Sequence, residues 1–202
     1  IRARARRPGA ASPPMAMARA AAPCRRAGGA RLCSPLPPAM LRSVEGSAFD
    51  EEALFSALAR GGVRVLLIGR RALVALGLPV LTADYDFWLD IDQIELLNAT
   101  VEPFELFPNR SPAEARRFGR YILQGDERID VLIARQASTR DGIPLRFEDA
   151  WARRIVVPYS ASVSLDLPCI DDLIMTKRWS LRPKDVNDIE LLEKLKRGEE
   201  RR

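Results

Sequence analysis

The chain has 202 residues, 47% of them hydrophobic and 29% charged, ordinary values for a globular domain long enough to bury a core. Its formal charge of +5 rests on eight arginines in residues 1–40, where there is no acid; the rest holds 24 basic and 27 acidic residues, about −3, so the body lacks a nucleic-acid charge signature. No histidine is present, which excludes Ser-His-Asp and Cys-His catalysis, His-ligated zinc and histidine general bases, and leaves carboxylate, lysine, arginine and metal chemistry.

Residues 1–40 are rich in Ala, Arg and Pro without hydrophobic period and are expected to be a disordered tail, with Met40 as an alternative start. Residues 41–202 are expected to form a single domain. Asp50 can cap a helix that Phe49 staples onto Leu54 and that ends at Gly61-Gly62. Val63 to Ile68 is a short apolar run, read as a buried strand ending at Gly69. Ala72 to Leu76 fits a short helix closed by Gly77. A loop follows to Ala83, then a strand over 85–89 with Asp84, Asp86 and Trp88 on one face and Tyr85, Phe87 and Leu89 toward the core. A short helix is expected at 92–99 and a helical piece near 112–117, in a stretch that otherwise reads as loop. Residues 119–124 and 128–134 flank Gly125-Asp126-Glu127 as a hairpin. A weaker helix covers 146–153, and strand-like runs follow at 154–158 and 162–167. Two helices close the chain, near 169–180 and 183–196, the second with Pro183 in its first turn.

The residues that can carry chemistry cluster in this frame. Asp84 and Asp86, one residue apart on a strand, point the same way. Like charges held so close call for a cation, and hard cations such as Mg²⁺ take oxygen ligands. An ordinary solvated strand face is the alternative. Asp130 interrupts the apolar strand Ile129–Ile133 and needs either a metal or a nearby arginine, Arg128 or Arg135. Gly69 at a strand–helix turn can present backbone N–H groups to an anion, with Arg70 or Arg71 adding a phosphate contact. Lys177 falls on the apolar stripe of its helix, and Asp185 and Asp188 start the inward stripe of the next. They can meet Lys177 or a substrate, or simply complement the helix dipole. Cysteines 24, 33 and 169 have no metal spacing, and their sparse count fits a reducing, cytoplasmic setting. No segment is long and apolar enough to cross a membrane; Arg70 and Arg71 interrupt the best run.

Taken together, Gly69-Arg70-Arg71-Ala72, Gly77, Thr82-Ala83-Asp84-Tyr85-Asp86, Arg128-Ile129-Asp130-Val131-Leu132, Asp172-Leu173-Ile174 with Lys177, and Arg182-Pro183-Lys184-Asp185 with Asp188-Ile189 resemble the nucleotidyltransferase superfamily, in particular its minimal, AbiEii-like, toxin-type branch. The resemblance spans about residues 50–196. It implies an α/β (α+β) fold with a mixed sheet flanked by helices and a helical C-terminus. It implies transfer of a nucleoside monophosphate from an NTP to an acceptor hydroxyl on an RNA end, such as tRNA, or on a protein. It places Mg²⁺ or Mn²⁺ on Asp84 and Asp86, with Asp130 as third ligand or general base. Lys177 would contact the triphosphate, Gly69, Arg70, Arg71 and Thr82 would line the nucleotide, and Asp185 and Asp188 would support Lys177 or the base and ribose. An antitoxin partner is also implied. Position 70 departs from the pattern, since active relatives usually carry Ser or Gly there. Arg70 either swings away or fills the phosphate pocket, and the second case implies a degenerate binding or regulatory module.

Overall fold

The computed structural model describes residues 49–198, so the tail expected over residues 1–40 and the start of the domain at 41 lie outside the described residues. The core is a five-stranded mixed sheet with helices on it. The chain runs α1 (Glu51–Arg60), β1 (Val65–Ile68), α2 (Gly69–Ala75), β2 (Tyr85–Leu89), α3 (Ile94–Val101), β3 (Phe107–Pro108), α4 (Pro112–Phe118), β4 (Arg120–Gln124) and β5 (Arg128–Leu132). It continues through a small hairpin, β6 (Gln136–Ser138) and β7 (Pro144–Arg146), then α5 (Phe147–Ala152), the hairpin β8 (Ile155–Pro158) and β9 (Ser164–Leu167), and the closing helices α6 (Ile170–Arg178) and α7 (Pro183–Arg197).

The strand order is β1-β2-β5-β4-β3. Only β2 and β5 run parallel; the other neighbours are antiparallel. One register decides the site: Asp86 stands opposite Asp130, and Ile122 stands on the other side of Asp130. Side chains opposite one another in a ladder project from the same face. Asp86, Asp130 and Ile122 therefore form one row across the middle of the sheet.

Local chemistry explains most elements. Asp50 Oδ1 accepts the Ala53 N–H at 2.9 Å and caps α1, as expected. Phe49 lies edge-on to the Tyr85 ring, 5.8 Å between centroids. Ser111 and Glu114 form a capping box that starts α4 at Pro112. α2 begins at Gly69 itself, three residues earlier than the pattern predicts. The left-handed Gly69 (φ +70°) turns the chain from strand straight into helix with no intervening loop.

Both faces of the sheet are covered. Tyr85, Phe87 and Leu89 join the larger core beneath α1, α3 and β9. The Asp86 face is not simply solvated beyond the acid, because Trp88 is fully buried there with Leu66, Leu145, Phe147 and Ala150. The β6–β7 hairpin, in a stretch with no strand pattern, makes this second layer with α5. Trp88 Nε1 donates to the Ala134 carbonyl at 2.8 Å, and its ring meets Trp179 and Phe147 edge-on. The two-residue edge strand β3 also lies where the sequence reads as loop. It is too short to show a period, and its pairing to β4 supplies its order. Among the described residues no helix is long and apolar enough to cross a membrane.

Candidate active site

A cleft of about 590 Å³ opens over the Asp86 row. Its floor is the exposed part of β2, β5 and β4. One wall is the turn from β1 into α2 with the junction of α6 and α7, and the opposite wall carries Arg110 and Arg120. Trp179 closes the back of the cleft, where it packs on Trp88.

Asp86 sits at the centre of the floor. A side chain at Gly69 would meet its carboxyl group, with a Cβ only 2.7 Å from Asp86 Cγ. Gly69 thus serves two ends: it provides the left-handed turn and it makes room for this carboxylate. Burial raises the Asp86 pKa above the ordinary carboxylate value, and the charge of Asp130 raises it further; Lys177 acts in the opposite sense and Asp84 adds to the rise. Asp130 is half exposed and bonded to Arg128 at 3.1 Å. Asp84 is exposed just ahead of β2 and is not part of the cleft lining. Its backbone N–H is held by Thr82 Oγ1 at 3.1 Å, so Thr82 shapes the entry to the strand.

The other expected residues separate into two groups. Lys177, 5% exposed, donates to Asp188 at 2.9 Å. Arg70 reaches the same carboxylate, with Nε 3.1 Å from Oδ2 and Nη2 3.1 Å from Oδ1. Asp188 is fully buried. Two cations therefore share one acid, and the cluster keeps one net positive charge beside Asp86. Arg70 swings away from the floor and does not fill the cleft. Asp185, also fully buried, accepts from the Arg182 backbone N–H (2.8 Å), from Arg182 Nε (3.0 Å) and from Ser180 Oγ (2.9 Å). Burial pushes its pKa up, but these hydrogen bonds outweigh burial and hold it below the usual carboxylate range. Asp185 thus organises the α6–α7 turn and its Arg182, not Lys177. Arg71 departs from the expected phosphate contact. It lies on the far side of the turn, with its guanidinium 4.1 Å from the Tyr85 ring centre and an ion pair to Glu51. Successive residues of a helix point about 100° apart, so Arg70 and Arg71 leave the first turn of α2 in different directions.

Among the described residues no three acids stand together in a ready-made metal cage. The donor chemistry still fits a hard cation: two facing carboxylates in register, one of them with a raised pKa, on a floor with room for oxygen ligands from a substrate. Sequence reading missed Arg110, Arg120, Arg182 and Trp179 as cleft residues. The signal for Arg120 was present. A hairpin turn at Gly125-Asp126-Glu127 places Ile122 opposite Asp130, and residue 120 then falls on the same face.

The sequence matches no protein-family model. It also matches no curated protein. Solved structures share its fold. The antibiotic-resistance factor ANT(2'')-Ia is 15% identical with a TM-score of 0.50, over 70% of this chain and 79% of that one. The lincosamide antibiotic adenylyltransferase LnuA, in its lincomycin-bound structure, is 14% identical with a TM-score of 0.50, over 71% of this chain and 96% of that one. At such identities the likeness is one of fold: a mixed sheet flanked by helices, with a helical C-terminus, as in the nucleotidyltransferase fold.

Proposed function

We propose that the chain is a metal-dependent nucleotidyltransferase that moves a nucleoside monophosphate from an NTP to an acceptor hydroxyl. The observation that carries this reading is the Asp86–Asp130 row beside Gly69 and the net positive Lys177–Asp188–Arg70 cluster. The fold shared with an adenylyltransferase supports it. Asp86 and Asp130, with Asp84 at the strand entrance, are the residues to hold Mg²⁺ or Mn²⁺; such an ion supplies charge neutralisation for the triphosphate and the leaving group. Lys177 and Arg70 offer the charge left over by Asp188 to the triphosphate. The acceptor oxygen attacks the α-phosphorus, and Asp130 takes its proton. The bond from the α-phosphorus to the bridging oxygen breaks, and pyrophosphate leaves with that electron pair. Arg182, held by Asp185, stands at the cleft rim for the departing charge. In this reading the chain is an AbiEii-like, toxin-type enzyme acting in the cytoplasm on tRNA or protein, with an antitoxin as partner.

A second reading, a catalytically degenerate binding module, is favoured by the exposure of Asp84 and by the Arg128 bond to Asp130. One experiment separates the two. The full chain is incubated with each α-labelled NTP, Mg²⁺ or Mn²⁺, and total tRNA or protein, beside Asp84→Asn and Asp86→Asn. Label transferred by wild type and lost in both variants is the expected result. Nucleotide binding without transfer points to the module, and wild type that neither binds nor transfers overturns both.

A further inference from the structure

Three observations beyond the nucleotide side of the cleft bear on its acceptor. Arg120 lies on the same sheet face as Asp130, two residues from Ile122 and so about 7 Å along the strand from the Asp130 row. Arg110 lines the same wall. Its Nη1 donates to the Arg120 carbonyl at 2.7 Å, and its guanidinium rests 4.6 Å from the centre of the exposed Phe118 ring. Among the described residues neither guanidinium has a carboxylate within ion-pair distance. The other cleft cations are engaged: Arg128 with Asp130, Arg182 with Asp185, Lys177 with Asp188. One cleft wall thus carries two arginines outside any ion pair, Arg110 anchored on the backbone of Arg120.

These two lie on the wrong side of the floor for the triphosphate assigned above. Lys177 and Arg70 flank Gly69 at the β1 end, whereas Arg120 is on β4, two strand spacings or about 10 Å from β2. Two arginines on one cleft wall offer several N–H donors to a doubly charged oxyanion and repel a cation.

We propose that the acceptor is an anion, a phosphate ester whose phosphate is seated on Arg110 and Arg120 while its hydroxyl lies over Asp130. This rests on the nucleotidyl-transfer reading for the role of the hydroxyl, but the anion site itself does not. The phosphate can belong to a phosphorylated small molecule or to a nucleic-acid strand.

The test titrates the full chain with Mg²⁺ present against glucose 6-phosphate, glucose, glucosamine and a short single-stranded RNA. Arg110→Gln/Arg120→Gln is compared with wild type, and Arg60→Glu, an exposed arginine outside the cleft, controls for bulk charge. The proposal expects binding of glucose 6-phosphate, of the RNA, or of both, and none of glucose or glucosamine. Glucose 6-phosphate alone identifies a small phosphate ester, and RNA alone identifies a strand. The double variant should weaken that binding at least about tenfold, and Arg60→Glu should leave it within about twofold. If RNA binds, the slope of log affinity against log salt should fall by roughly 0.7 in the double variant, the amount for the one phosphate that is no longer neutralised. Glucosamine binding as well as glucose 6-phosphate, or phosphate binding unchanged in the double variant, overturns the proposal. Nucleotide binding is measured separately on wild type. Nucleotide bound with no anion selectivity sinks this proposal alone, while an Arg110/Arg120-dependent anion site without nucleotide binding sinks the nucleotidyltransferase reading alone.

Discussion

Gly69→Ala probes the point where the cleft floor meets the strand–helix turn. Gly69 has φ +70°, a conformation that costs an L residue about 1–2 kcal/mol. The added Cβ would also stand 2.7 Å from Asp86 Cγ and 2.9 Å from Asp86 Cβ, overpacking of about 1–3 kcal/mol. The combined loss should be roughly 2–5 kcal/mol, read as a lower urea midpoint with an unchanged m-value. A double-mutant cycle separates the two parts. In an Asp86→Ala background the carboxylate is gone and only the Cβ contact persists, so Gly69→Ala should cost less there by about 1–2 kcal/mol. The backbone part remains in both backgrounds. A Gly69→Ala chain within about 0.5 kcal/mol of wild type refutes the strained-turn argument. An equal loss in both backgrounds refutes the claim that glycine makes room for Asp86.

Other perturbations follow the same geometry. Asp188→Ala removes the carboxylate that the buried Lys177 ammonium bonds and should cost about 3–5 kcal/mol by chemical denaturation; a loss under about 1 kcal/mol would mean that Lys177 escapes to water. Arg153 grips the buried Asp172 through two bonds of 2.6 and 2.7 Å while itself half exposed. Arg153→Ala, which strands the buried acid, should therefore destabilise more than Asp172→Ala, which leaves an arginine that water can solvate; the reverse order in urea melts counts against this. Asp86 has a folded pKa above its unfolded value of about 3.8, so its stabilising contribution is complete below that value and is lost as pH rises through the folded pKa. Without added metal, Asp86→Asn should accordingly be more stable than wild type at pH 7 and lose that advantage toward pH 3, measured as thermal midpoints across the range. An Asp86→Asn chain less stable than wild type at pH 7 would show that the carboxylate is favourably compensated.

The elements that were legible from the residues are those whose signals are local. The Asp50 cap, the Ser111–Glu114 box, the Gly125 hairpin turn and Pro183 each satisfy or remove backbone groups within a few residues, so sequence spacing suffices. The β6–β7 hairpin and β3 were not legible. They are too short to display a period, and they are ordered by what they pair with and cover.

For the site, the sequence alone narrowed the choice: with no histidine it excluded histidine-based catalysis, and it singled out Asp84, Asp86, Asp130 and Lys177 as candidates. Only the tertiary structure decided which of these residues share a cleft. The β2–β5 register put Asp86 beside Asp130, while Asp84, ahead of the strand, stays out of the cleft lining. The fold also turned Arg70 onto Asp188 and Arg71 onto Tyr85, although the two are adjacent in sequence. It brought Arg110 and Arg120 to the far wall as well. The physical reason is range: a cap or a turn is settled by atoms a few residues away, whereas a charge's partner is set by whichever elements the core packs against it.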